Sequence, residues 1–289
     1  MIEHRRIAAN GLSFHVAEAG RGKPRLVVLL HGFPEFWYGW RKQLTALGDS
    51  FHAVAPDTRG IGLSDRPAAV GDYRLEHLVA DLRGLVHALG HERCVLVGHD
   101  WGGFIAWSAA IRHPELIEKL VIVNCAHPAA FDRLMREDGA QRKASAYMLA
   151  FRSARGEELL SRDDFAGFRR NILEPGLAAG HLTPADAEAY LEAWRRPGAL
   201  TAGLNYYRAN KTGPDLAARM IEADATVRVP TLVLWGERDP YFAPRNLDLL
   251  TEYVPDLMLR RWPERDHWIV HQIPAEITAA IRSFAEAAS

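Results

Sequence analysis

The sequence predicts an α/β fold, a mostly parallel eight-stranded sheet flanked by helices, with a helical segment inserted into it. Three observations predict this. Over the first 127 residues, short apolar runs bounded by Gly, Pro and Asp alternate with helical patterns, which is the rhythm of βαβ units. From about Pro128 to Asp224 that rhythm stops, and the chain becomes helical and rich in Ala, Arg and aromatics. At Thr231 it restarts. The expected division is a sheet-bearing core at residues 1–127 and 225–289 and an insertion at 128–224.

Residues 2–9 and 12–18 alternate about Asn10 and Gly11, the strongest short hairpin signal. RLVVLLHG (25–32), FHAVAPD (51–57), RCVLVGHD (93–100) and KLVIVNC (119–125) are continuous apolar runs ending in polar residues, as strands buried on both faces are. TLVLWGERD (231–239) and LMLRRW (257–262) supply the last two strands. Between the runs, Leu75, Leu78, Val79, Leu82, Leu85 and Val86 fall at helical spacing over 74–90, and Gly90 stops that helix. In the insertion, Thr183, Pro184 and Asp186 mark a helix start, and Pro197 and Gly198 mark its end. A final helix is expected over 274–287.

Charge and composition exclude several functions. With 35 basic and 36 acidic side chains the net charge is −1, so the basic footprint of a nucleic-acid binder is missing. The insertion is also balanced, with 14 basic and 14 acidic residues. A chain that is 48% hydrophobic and 25% charged has the make-up of an ordinary globular protein. No apolar run reaches the roughly 18–20 residues of a membrane helix, and MIEHRRIAANGLSFHV lacks a signal-peptide pattern, so a cytoplasmic location is expected. Cys94 and Cys125 lie in apolar runs and, on neighbouring parallel strands, would stand at opposite ends, too far apart for a disulfide. Two cysteines are also too few for a structural zinc site, and neither a metal nor a cofactor is expected.

The segment VLVGHDWGGFIAW (95–107) carries the chemistry: an apolar strand, then Gly98, His99, Asp100, Trp101, Gly102 and a helical pattern. Glycines flank Asp100 as they must where a strained turn brings backbone close on both sides. An Asp before a helix is also an ordinary N-cap, and the context decides between the two readings. HGFPE (31–35) ends one strand, and His31 and Gly32 alone would suit a plain βα turn, with Pro34 placed for a cis bond. Asp239 ends the seventh run, at the carboxyl end of a strand where open α/β sheets build their sites. His267 follows the eighth. A carboxylate at a strand-to-helix turn, a second carboxylate and a histidine thus occur in the order Asp100, Asp239, His267, each at the end of or just after an apolar run. His77, His99 and His113 are read as packing or surface residues.

On HGFPE, GHDWGG, WGERD and DHW, with DTRGIGLSD (57–65) as a further match, the chain resembles epoxide hydrolases of the α/β-hydrolase superfamily from about residue 2 to 287. The resemblance implies that 128–224 is a helical cap over the active site. It further implies that Phe33 N–H and Trp101 N–H form an oxyanion hole, and that YMLAF (147–151) and LNYYR (204–208) contribute Tyr147 and Tyr207 to open the epoxide. The implied partners are water and a small, neutral, apolar epoxide, attacked by Asp100 to form an ester that His267 and Asp239 then hydrolyse. Both a monomer and a homodimer fit the sequence. Helix-face packing is the plainer reading of Tyr147, whose i+4 neighbour is Phe151. The alternative activity is that of a haloalkane dehalogenase, which shares the Asp nucleophile and would recruit Trp194 as a halide donor; a non-catalytic binder of apolar ligands is the third reading. Asp266, a carboxylate next to the base, and His271 have no role assigned.

Overall fold

The computed structural model describes residues 1–211 and 224–287, so the part of the helical expectation that falls on 212–223 lies outside the described residues. Eight strands, β1 (Glu3–Ala9), β2 (Leu12–Ala19), β3 (Leu26–Leu30), β4 (His52–Pro56), β5 (Cys94–His99), β6 (Ile117–Val123), β7 (Thr231–Gly236) and β8 (Leu257–Trp262), form one sheet in the order β1-β2-β4-β3-β5-β6-β7-β8. Pairing of β2 with β1 and with β4 is antiparallel, and every other pair is parallel. Asn10 and Gly11 turn the hairpin with φ of 45° and 75°, the left-handed pair that a two-residue type I′ turn requires.

Helices α1 (Arg41–Leu47), α2 (Leu75–Ala88) and α3 (Trp101–Arg112) connect the early strands. Between β6 and β7 lie α4 (Pro128–Glu137), α5 (Tyr147–Arg152), α6 (Gly156–Phe168), α7 (Pro184–Arg195) and α8 (Ala199–Ala209), and α9 (Pro274–Glu286) follows β8. Alternate residues of the central strands feed two separate apolar layers. Val28, Leu30, Leu96 and Ile122 pack with α2 and α3 on one face, and Val27, Leu29, Val97 and Val121 pack with α1 and α9 on the other. Burial on both faces is why these strands read as unbroken apolar runs.

The strand expected at 119–125 runs instead from Ile117 to Val123. Asn124 ends it by turning to φ 39°, and its side chain bridges to β7: Oδ1 accepts from Gly236 N–H at 2.9 Å, and Nδ2 donates to the Gly236 carbonyl at 3.1 Å. Cys94 pairs with Ile117 at the start of β6 and Cys125 lies beyond its end; both thiols are free and buried. Thr183 and Asp186 form a reciprocal capping box at the start of α7, and Gly198 takes φ 75° after its end. Helix α6 is broken at Arg162–Phe165, where Asp163, Asp164 and Phe165 all have positive φ. No helix among the described residues is long and apolar enough to cross a membrane.

Candidate active site

Asp100 stands between β5 and α3 with φ 50° and ψ −119°, outside the ordinary regions for a residue with a Cβ. Close backbone packing creates this corner: a Cβ on Gly102 would collide with the Leu30 carbonyl, and one on Gly32 with the Asp100 side chain itself. With Gly32 bare, the β3 loop closes over the carboxylate, and Phe33 N–H donates to Asp100 Oδ1 at 2.9 Å. The Phe33–Pro34 bond is cis. Trp101 N–H heads α3, among the first N–H groups of a helix, which have no intrahelical acceptor.

Opposite, the His267 Nδ1–H donates to Asp239 Oδ2 at 2.8 Å, and its Nε2 lies 3.8 Å from Asp100 Oδ2, too far for a hydrogen bond. Asp239 also accepts from Tyr241 N–H at 2.8 Å and from Asn124 Nδ2 at 2.7 Å, so the amide that ends β6 orients the acid that follows β7. Burial disfavours the imidazolium, but the carboxylates of Asp239, Asp100 and Glu35 outweigh it and raise the His267 pKa from 6.5 to about 9. The neighbouring Asp266 accepts from Trp268 N–H through Oδ1 at 2.8 Å.

Helices α5 and α8 bring Tyr147 and Tyr207 together, ring centroids 6.1 Å apart and hydroxyls hydrogen-bonded. Burial and the Asp100 charge push both phenols well above their ordinary pKa, so they hold their protons through the neutral range. With Asp100 and His267 they line a cavity of about 160 Å³ whose other walls are largely aromatic, among them Phe33, Phe151, Phe168 and Trp268. The Trp101 indole N–H serves Tyr207, and that of Trp194 donates to the Pro34 carbonyl at 2.6 Å. Trp194 is therefore not a halide donor: its N–H is consumed in fixing the loop that carries Phe33.

One buried cluster was not legible from the sequence. Glu35, the last residue of HGFPE, accepts from His271 Nε2 at 2.6 Å, His99 Nδ1 at 3.0 Å and the Tyr190 hydroxyl at 2.9 Å. Burial alone would raise its pKa, yet the two histidines hold it well below the usual carboxylate range. His99 is thus more than a packing residue, because its Nε2 donates to the His267 carbonyl at 2.9 Å and ties Glu35 to the backbone of His267. His271 acquires a role in the same cluster. His113 pairs with Glu115 at the surface, and His77 is exposed. The proximity of Glu35 to HGFP was the only signal available, since its partners lie up to 236 residues away.

Residues 25–272 match the family described as alpha/beta hydrolase fold. Mouse epoxide hydrolase 4 is 38% identical over 286 residues, covering 96% of this chain and 78% of the relative. The chain belongs to the epoxide-hydrolase group of the α/β-hydrolase fold family. To the Bacillus subtilis AB hydrolase superfamily protein YfhM this α/β hydrolase is 36% identical, over 96% of each chain. A solved mutant of a Bacillus megaterium epoxide hydrolase superposes with a TM-score of 0.92 at 35% identity, covering 98% of this chain and all of that one. The eight-stranded sheet and its helices are accordingly those of an α/β hydrolase.

Proposed function

We propose that this α/β hydrolase opens epoxides to vicinal diols through an ester on Asp100. The observation that carries the reading is a carboxylate, where a serine would serve ester hydrolysis, facing two protonated phenols across one aromatic cavity. A carboxylate oxygen attacks an epoxide carbon, the C–O bond breaks, and the leaving alkoxide takes a proton from Tyr147 or Tyr207. Its product is an ester whose carbonyl belongs to the enzyme, so water must next attack Asp100 itself. His267, oriented by Asp239, removes a proton from that water, Phe33 N–H and Trp101 N–H stabilise the oxyanion, and its collapse breaks the bond between the Asp100 acyl carbon and the diol oxygen, which takes the proton of the restored carboxyl group. Residues 128–224 act as the cap that supplies the phenols and closes the cavity.

Charge orders the two steps. While Asp100 is ionised, it helps hold His267 protonated, and the base is unavailable. Esterification removes that charge, so the His267 pKa falls once there is an ester to hydrolyse, and the proton His267 then releases restores the phenol that protonated the alkoxide.

The experiment is single-turnover mass spectrometry of His267→Gln with styrene oxide. The expected result is an adduct of one substrate mass on the peptide that contains Asp100, absent in Asp100→Ala. An unmodified His267→Gln protein that still forms diol would overturn the ester route.

A further inference from the structure

We propose that Gly167 sets the size of the group this enzyme accepts. Its substrates are epoxides with one ring-sized apolar substituent on one carbon and at most a methyl group on the other. The inference rests on the epoxide reading above. Asp100, Tyr147 and Tyr207 are shared by two cavities, so the reacting ring sits where two arms meet. The arms are very unequal, about 160 Å³ against about 20 Å³. An apolar cavity of roughly 150 Å³ takes a benzene ring, whereas one of about 10–15 Å³ holds a single water. The short arm has room for a hydrogen or a methyl group. It is closed by Phe104, Phe131 and Phe242, three rings in mutual contact with centroids 5.6, 5.8 and 6.2 Å apart.

Gly167, just after the break in α6, lines the long arm. Its backbone does not require glycine, since it is not among the residues of positive φ, and a Cβ built there meets no atom within 4 Å. A helical glycine costs about 1 kcal/mol relative to alanine, and neither strain nor crowding offsets that cost here. The absent side chain leaves bare the cavity wall that Gly167 forms, and we assign that space to the arm. The long arm shares Asn171, Ile172, Tyr241 and Trp268 with an outer vestibule of about 540 Å³, so the two adjoin on this side.

The test is kcat/KM for propylene oxide, styrene oxide and trans-stilbene oxide, with the native enzyme and with Gly167→Phe. For the native enzyme, styrene oxide is expected to exceed trans-stilbene oxide by roughly a hundredfold, because the second phenyl has no arm to occupy. In Gly167→Phe the ratio of styrene oxide to propylene oxide should fall by roughly tenfold or more. Comparable native turnover of trans-stilbene oxide and styrene oxide overturns the proposal, and so does an unchanged ratio in the variant. Should Gly167→Phe not fold, Gly167→Leu takes its place, and the native comparison decides the asymmetry without either. Native turnover of none of the three overturns the epoxide reading itself, whereas turnover of all three at similar rates overturns only the size rule.

Discussion

At the scale of single residues, Asp100 combines a strained backbone with a charge that other groups feel. A non-glycine residue held at positive φ costs about 1–3 kcal/mol, and here the cost is maintained by glycines that let the β3 loop and α3 crowd the turn. The same carboxylate is one of three that hold the His267 pKa up. Asp100→Asn keeps the shape and the oxygen facing Phe33 N–H while removing the charge. In that variant the His267 ring, followed by NMR titration, should move from about 9 towards 6.5, and an unmoved titration would show that Asp100 is not coupled to the base. Asp239 and His267 could be read from the sequence because each closes or follows an apolar run, so the position itself carries information. Glu35 could not. A lone carboxylate after a Pro has no local pattern, and its neighbours arrive from α7 and from the segment after β8.

Among the elements, the ends of β6 and β7 matter most. Asn124 bonds both backbone groups of Gly236 and one oxygen of Asp239, so one side chain fixes strand ends and acid together. Removing it in Asn124→Ala leaves buried polar groups unpaired and places a Cβ-bearing residue without an amide at φ 39°. A loss of roughly 2–3 kcal/mol is expected in urea denaturation. Asn124→Gly relieves the backbone conformation and should lose less stability, while both variants lower kcat by loosening Asp239. Equal stability losses would show that backbone conformation contributes nothing there. The strand runs themselves were legible because burial on both faces leaves only apolar residues over their length. The two-residue displacement of β6 was not, because Cys125 is as apolar as a strand residue and only the side-chain bridge of Asn124 ends the strand. The break in α6 was equally hidden, since Arg162, Asp163 and Asp164 are all compatible with a helix in sequence.

For the whole molecule, buried histidines shape stability against pH from both sides. His267 has a folded pKa of about 9 against 6.5 unfolded, so its contribution is complete below 6.5 and is lost as pH rises through 9. That displacement corresponds to about 3 kcal/mol. His127 runs the other way: burial lowers its pKa from 6.5 to about 3, so it stabilises the fold above 6.5 and loses that contribution as pH falls. His31 is lowered by burial in the same sense. The urea midpoint should therefore peak near pH 6.5 and decline on either side, and His267→Gln should flatten the alkaline decline. An alkaline decline that persists in the variant would place its origin elsewhere.

The two cysteines, free and buried, make the native protein its own stopwatch. Both side chains are fully covered, and burial raises the Cys94 thiol to about 12 and Cys125 well above its ordinary range. Neither presents a thiolate to solvent while the sheet is intact. A thiol-reactive dye added to native protein should react only as molecules open, and at high dye concentration its uptake should follow the unfolding rate rather than the reagent. Labelling that accelerates in proportion to dye would show a path to β5 or β6 that bypasses unfolding. The fold thus carries a readout of its own lifetime, with no probe to be engineered in.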